Sequence, residues 1–341
     1  MTVATPRAGT SIVAARSAGL LVAIAVLVLL CLVGLAVGAK YIPIGVVWHA
    51  LWRDDGSDDA FLVLDGRVPR TLLGLGVGAA LGLAGALMQA LTRNPLADPG
   101  LLGVDIGASA AVVVAIGVLG VTAPAGYVWF AFAGAGGAAV LVYLLGATGR
   151  VVSPERTILA GAAISSAFGA FVSAVLLLSP ETFDSFRFWA VGSLAGRTMD
   201  IVVALGPFLV VGVLLALSLG PALNALALGD QVGAALGVRV GRTRLLTALA
   251  VTLLCGSATA AIGPIGFVGL TVPHAARMIV GPDQRWVLAY SLVLAPVLLI
   301  GADVLGRVVL PSGELQVGIV TAVLGAPVFL VLCRRRRIAQ L

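Results

Sequence analysis

LDGRVPRTLLGLGVGAALGLAGALMQALTRNPLADPGLLGV, residues 64–104, decides how this chain is built. It opens on Arg67-Val68-Pro69-Arg70, and a proline at that point suits a first helical turn. An apolar run follows from 68 to 91, long enough for a membrane-crossing helix of about 20 residues. Within it Gly74, Gly78 and Gly82 recur every four residues, with Ala86 next, so small residues share one helical face. In lipid such a face lets two helix backbones approach closely. The G-x-G-x-x-x-G spacing does not fit a dinucleotide fingerprint, and no strand precedes it. Asn94-Pro95-Leu96-Ala97-Asp98-Pro99-Gly100 then ends the helix. Two prolines four apart bias their predecessors to extended backbone, so a tight turn follows. Asn94 and Asp98 are candidate caps for the next helix.

The rest of the 341 residues repeats this pattern. Hydrophobic residues make up 60%, charged residues 11%, and the mean hydropathy is +1.13. A soluble domain cannot hide that much apolar surface, so lipid is the solvent for most of the chain. Polar and proline-rich breaks divide it into ten spans, at 18–39, 68–91, 101–120, 127–147, 157–179, 200–219, 244–262, 264–280, 286–305 and 315–333. The expectation is an all-α polytopic membrane protein, with residues 1–341 forming one transmembrane domain. The first apolar stretch is longer than a signal-peptide core, so it reads as a retained helix.

Charge sets the orientation. With the N-terminus inside, 14 Lys and Arg fall on the inner side and 7 on the outer, which predicts cytoplasmic termini. The net charge of +6 therefore reflects topology, not nucleic-acid binding, and Arg334–Arg337 read as an anchor after the last helix. Lys40 is the single lysine, and Tyr41 follows it, so no G-x-x-x-x-G-K-[ST] loop exists. If ATP drives this protein, another chain carries the ATPase.

Cys31, Cys255 and Cys333 lie in or beside apolar runs without metal or redox spacing, and read as packing residues. His49 and His274 form no ligand set, so no cofactor is expected. Asp105 and Asp303 are the acids nearest span interiors, both near predicted ends. Proton-coupled carriers place ionisable groups deep in the membrane, and their scarcity here argues against that class. A membrane-embedded enzyme lacks any catalytic cluster.

Arg67, Arg70 and Arg307 fall on the outer side, where positive-inside bias disfavours them. They suit pairing with carboxylates of an external partner. On the inner side, residues 220–243 have helical character broken by Gly237 and followed by Arg239, Arg242 and Arg244. Two short helices about a glycine turn would form a small knob suited to another protein's groove.

Together these segments resemble the FecCD-type permease subunits of bacterial iron–siderophore and vitamin B12 ABC importers. The resemblance runs from about residue 20 to 333. It is densest in 64–104, in GPIGFVGLTVPHAARMIVGPDQRW (263–286) and in GADVLGRVVLPSGELQVGIVTAVLGAPVF (301–329). RFWAVGSL (187–194) and LLCGSATAAIGPI (253–265) make it most similar to ferric-enterobactin-type permeases. The resemblance implies ten helices in the type II importer architecture, and a homo- or heterodimer of permeases in the bacterial inner membrane. It also implies two ATPase subunits inside, a periplasmic or lipid-anchored substrate-binding protein outside, and a ferric siderophore as cargo. Vitamin B12 and haem are the alternatives within the family.

It further implies that Arg67, Arg70 and Arg307 meet glutamates of the binding protein. Asp230, Leu236 and Gly237 match the loop that couples to the ATPase. Asn94 and Leu96 match a cytoplasmic gate, whose other half falls near Ser153. Pro154 and Glu155 stand where some relatives have small hydroxyl residues, and Asp105 where relatives often have Ser or Asn.

Overall fold

The computed structural model describes residues 8–38, 40–53, 55–146, 154–310 and 313–334. Every regular element among them is helical. Helix α1 spans Ala8–Ala36. The expected first outer loop is itself structured, with α2 (Ile44–Trp52), α3 (Asp58–Phe61) and a π-helical segment, Leu62–Arg67. These close over a small apolar core of Ile42, Val47, Ala50, Ala60 and Val63. The π segment runs straight into α4 (Val68–Thr92). A short 3-10 helix at Pro99–Leu102 precedes α5 (Val104–Gly117), α6 (Pro124–Gly146), α7 (Pro154–Leu178), α8 (Pro180–Ala190) and α9 (Met199–Ser218). Then come α10 (Gly220–Ala227), α11 (Asp230–Ala235), α12 (Val240–Ile262), α13 (Val268–Val280), α14 (Gln284–Val308) and α15 (Val317–Arg334).

Seven helical segments among the described residues are long and apolar enough to cross a membrane, and α5, α13 and α15 are shorter apolar helices. Each expected span coincides with one of these ten. Two begin three or more residues later than the sequence indicates. The span placed at 101 starts at Val104, because Pro99 opens a separate 3-10 turn that Gly103 ends in the left-handed region. The span placed at 264 starts at Val268, because residues 263–266 are not helical and Phe267 has φ 69°.

Helix α4 lies at the centre, packed against α14, α12, α13 and α9. Its glycine stripe faces α14. A Cβ built on Gly78 would lie 2.6 Å from Pro296 Cα, and one on Gly82 would lie 2.6 Å from Ser291 O. The neighbouring face makes a still closer approach, because a Cβ on Gly85 would meet Gly269 O of α13 at 1.8 Å. Contacts this tight supply dispersion energy where lipid removes the hydrophobic effect between helices. The periphery is the reverse. Leu21, Leu29, Leu144, Leu177, Val203 and Leu214 stand exposed, as lipid-facing side chains must.

Candidate functional sites at two ends of the helix bundle

At the N-terminal end of α4 the three arginines form one buried cluster. Arg67 ends the π segment and donates from Nη1 to Leu35 O at 2.7 Å and from Nη2 to Lys40 O. It thus fixes the chain leaving α1. Arg70, one turn on, grips Asp303 of α14 from Nε (3.1 Å to each oxygen) and Nη2 (2.8 Å). Its Nη1 holds Glu314 Oε2 at 2.8 Å. Arg307 reaches the same Asp303 from Nε at 3.0 Å and from Nη2, and donates from Nη1 to Gly34 O (2.7 Å) and Val37 O (3.1 Å).

Asp303 therefore bridges two guanidinium groups, Arg70 and Arg307 share the carboxylates of Asp303 and Glu314, and Arg67 is held by backbone carbonyls. Arg67 and Arg307 are 8% and 6% exposed, so they act within this chain as braces between α1, α4 and α14. Sequence reasoning brought the arginines together but missed Asp303. Its spacing of four from Arg307 puts both on one helical face, and that was the available signal.

At the opposite end, α4 stops where Arg93 takes the left-handed conformation (φ 51°). Asn94 Oδ1 accepts from the Leu96 amide at 2.9 Å, closing an Asx-type turn. Asp98 Oδ1 accepts from the Gly100 amide at 2.8 Å and caps the 3-10 helix. Burial pushes the Asp98 carboxyl above the usual range, against the pull of that amide. So Asp98 caps, whereas Asn94 shapes the turn. Leu96 is exposed. Ser153 lies outside the described residues.

The short helices α10 and α11 meet at Gly229 (φ 110°), and α11 ends at Gly237 (φ 87°), where side chains are strained. Residues 220–243 hold two short helices, but the glycine turn between them is Gly229, not Gly237 as the sequence suggested, and Gly237 instead leads into α12; the apolar groups Leu228, Val232 and Leu236 are exposed. Asp230, the first residue of α11, accepts from Arg93 Nη2 at 2.5 Å and from Arg244 Nη2 at 2.7 Å. The knob is thereby tied to the end of α4, immediately before Asn94. Spacing along the chain gave no hint of this contact, because Arg93 and Asp230 are 137 residues apart.

Between the ends, Asp105 is half-buried, accepting from Thr259 Oγ1 at 2.6 Å and facing the Cys255 thiol at 3.8 Å. Cys255 packs in the core as expected, and also offers a weak donor to this carboxylate. Gln89 ties α4 to α13, donating to Leu270 O at 3.1 Å and accepting from Arg277. Cys31 is half-buried, and the side chain of Cys333 lies outside the described residues.

A bundle with a lipid-facing periphery, a braced ionic cluster at one end and an exposed apolar knob at the other belongs to the class of polytopic membrane permeases. Residues 26–335 match the FecCD transport family, and the chain belongs to that family. It is 48% identical to the ferric enterobactin transport system permease protein FepD of Escherichia coli K12, over 91% of this chain and 93% of that one. It is 39% identical to a probable siderophore transport system permease protein, YfiZ of Bacillus subtilis 168 (85% and 87%). Its identity with the hemin transport system permease protein HmuU of Yersinia pestis is 35% (91% and 94%). Among solved structures, a metal-chelate type ABC transporter in an inward-facing conformation superposes with a TM-score of 0.82. That match has 29% identity over 92% of this chain and 98% of that one.

Proposed function

We propose that this chain is the permease subunit of an ABC importer that moves a ferric siderophore across the bacterial inner membrane. It forms one transmembrane domain, pairs with itself or with a second permease, and has both termini in the cytoplasm. Two separate ATPase subunits supply the free energy, and a substrate-binding protein delivers the cargo. The observation that carries the reading is the near full-length match to siderophore permeases, on a chain whose only lysine cannot serve a P-loop.

In this reading the end of the bundle braced by Arg67, Arg70 and Arg307 faces the binding protein. Arg67 is hydrogen-bonded to carbonyls and not to Asp303 or Glu314, and its positive charge favours an acidic partner. The exposed Leu236 and the turn at Gly237 enter the ATPase. Asp230 passes that movement through Arg93 to the gate at Asn94 and Leu96, whose other half the family resemblance assigns to Ser153. ATP binding favours one arrangement of the assembly over the other, and alternating access follows from that difference. The permease itself makes and breaks no bonds.

Proteoliposomes holding the complete complex and loaded with ATP should accumulate ferric enterobactin supplied with the binding protein. Accumulation by this chain alone, without nucleotide, would refute the reading.

A further inference from the structure

Near the arginine cluster a cavity of about 330 Å³ opens between the start of α6, α8, the 191–198 loop and the segment before α15. The loop is fixed in place. The Ser193 amide donates to Ile262 O at 2.8 Å, and the Gly318 amide donates to Gly192 O at 3.2 Å. Arg197 lines the cavity and is only 7% exposed.

Arg197 contacts only neutral groups. Nε donates to Ser193 O at 3.3 Å and Nη1 to the Tyr127 hydroxyl at 3.1 Å, while Nη2 makes no hydrogen bond among the described residues. No carboxylate pairs with it there. Arg70 and Glu314 also line the cavity, but they pair with each other and Arg70 with Asp303, so the uncompensated charge is that of Arg197. Trp189, in the same wall, buries an indole N–H without a partner. A buried guanidinium without a counter-charge is costly, and proteins keep such groups where an anion arrives.

We propose that this cavity is an entry subsite for the negatively charged oxygens of the ferric chelate, with Arg197 as the cation that receives them. The inference rests on the ferric-siderophore reading above. Arg197 lies recessed behind aromatic walls, not on an exposed rim. Its free Nη2 beside a neutral Nε and Nη1 shell suits a planar oxyanion. A volume near the lower end of small-molecule sites admits one arm of a chelate. The subsite selects for anionic chelates, such as triscatecholates and citrates, over neutral trishydroxamates.

The test uses the complete importer in proteoliposomes, with ferric enterobactin as the probe. Arg197→Gln should raise KM at least about tenfold, while Arg197→Lys recovers most of the loss. Ser185→Glu, which puts a carboxylate on an exposed part of the cavity wall, should raise KM in the same direction, and serves if Arg197→Gln fails to fold. Capture of chelate-free binding protein should be unaffected by either change. An unaltered KM in the folded variants would overturn the proposal. So would loss of binding-protein capture, which would make an acidic side chain of that protein the occupant. If the unsubstituted complex takes up no ferric chelate at all, the siderophore reading falls, and the subsite with it.

Discussion

The two ends of α4 are built on opposite principles. At the Arg67 end, charges are buried and shared: Asp303 is 3% exposed and serves Arg70 and Arg307, and Arg307 also donates to the Gly34 carbonyl of α1. At the Asn94 end, charges are half in solvent: Arg93 and Asp230 are 43% and 42% exposed, and the apolar side chains of Leu228, Val232 and Leu236 nearby are exposed. A buried network holds one geometry because every broken bond leaves an unpaired charge in low dielectric. An exposed pair can part and re-form, because water replaces the partner. The first end therefore braces three helices, and the second is held by pairs that water can replace.

Asp303→Asn should have the largest effect. It leaves Arg70 and Arg307 buried with their shared carboxylate gone, and removal of one partner from such a network costs about 3–5 kcal/mol. Thermal unfolding of the purified protein in detergent should show a clear fall in midpoint. An unmoved midpoint would mean that the cluster is not a brace, and the contrast between the ends would collapse.

Asp230→Asn should cost no more than about 1 kcal/mol of stability, since both of its ion pairs are partly solvated. Its consequence is functional: chelate imported per ATP hydrolysed should drop while hydrolysis continues. The reversed pair, Arg93→Asp with Asp230→Arg, should regain part of the coupling. Equal loss of hydrolysis and import would place Asp230 in ATPase assembly alone.

Leu236→Asp should leave stability within about 0.5 kcal/mol, because the side chain is 62% exposed. Co-purification of the ATPase subunits should be lost, since a charge enters the apolar contact. Undiminished co-purification would remove Leu236 from the docking surface and narrow that surface to Asp230 and Gly237.

The legible parts share one feature: their cause is local. Ten apolar runs become ten apolar helices because lipid forces each segment to satisfy its own backbone hydrogen bonds. The glycine stripe of Gly74, Gly78 and Gly82 announced a close crossing, since a shared helical face needs only spacing. Gly85 was not read that way, because its neighbour Gly269 comes from a distant helix. Likewise the three arginines could be gathered from their positions at span ends, but their shared anchor could not. Arg70 and Asp303 are 233 residues apart.

Composition and periodicity, taken alone, settled that this chain is a helical membrane protein without a P-loop of its own, because hydropathy and residue type act one segment at a time. Packing decided which helix α4 touches, which carboxylate neutralises which arginine, and that Arg197 is buried with no carboxylate paired to it among the described residues. Those outcomes depend on side chains brought within a few ångströms from far apart in the chain, and distance in space is a property no single segment carries.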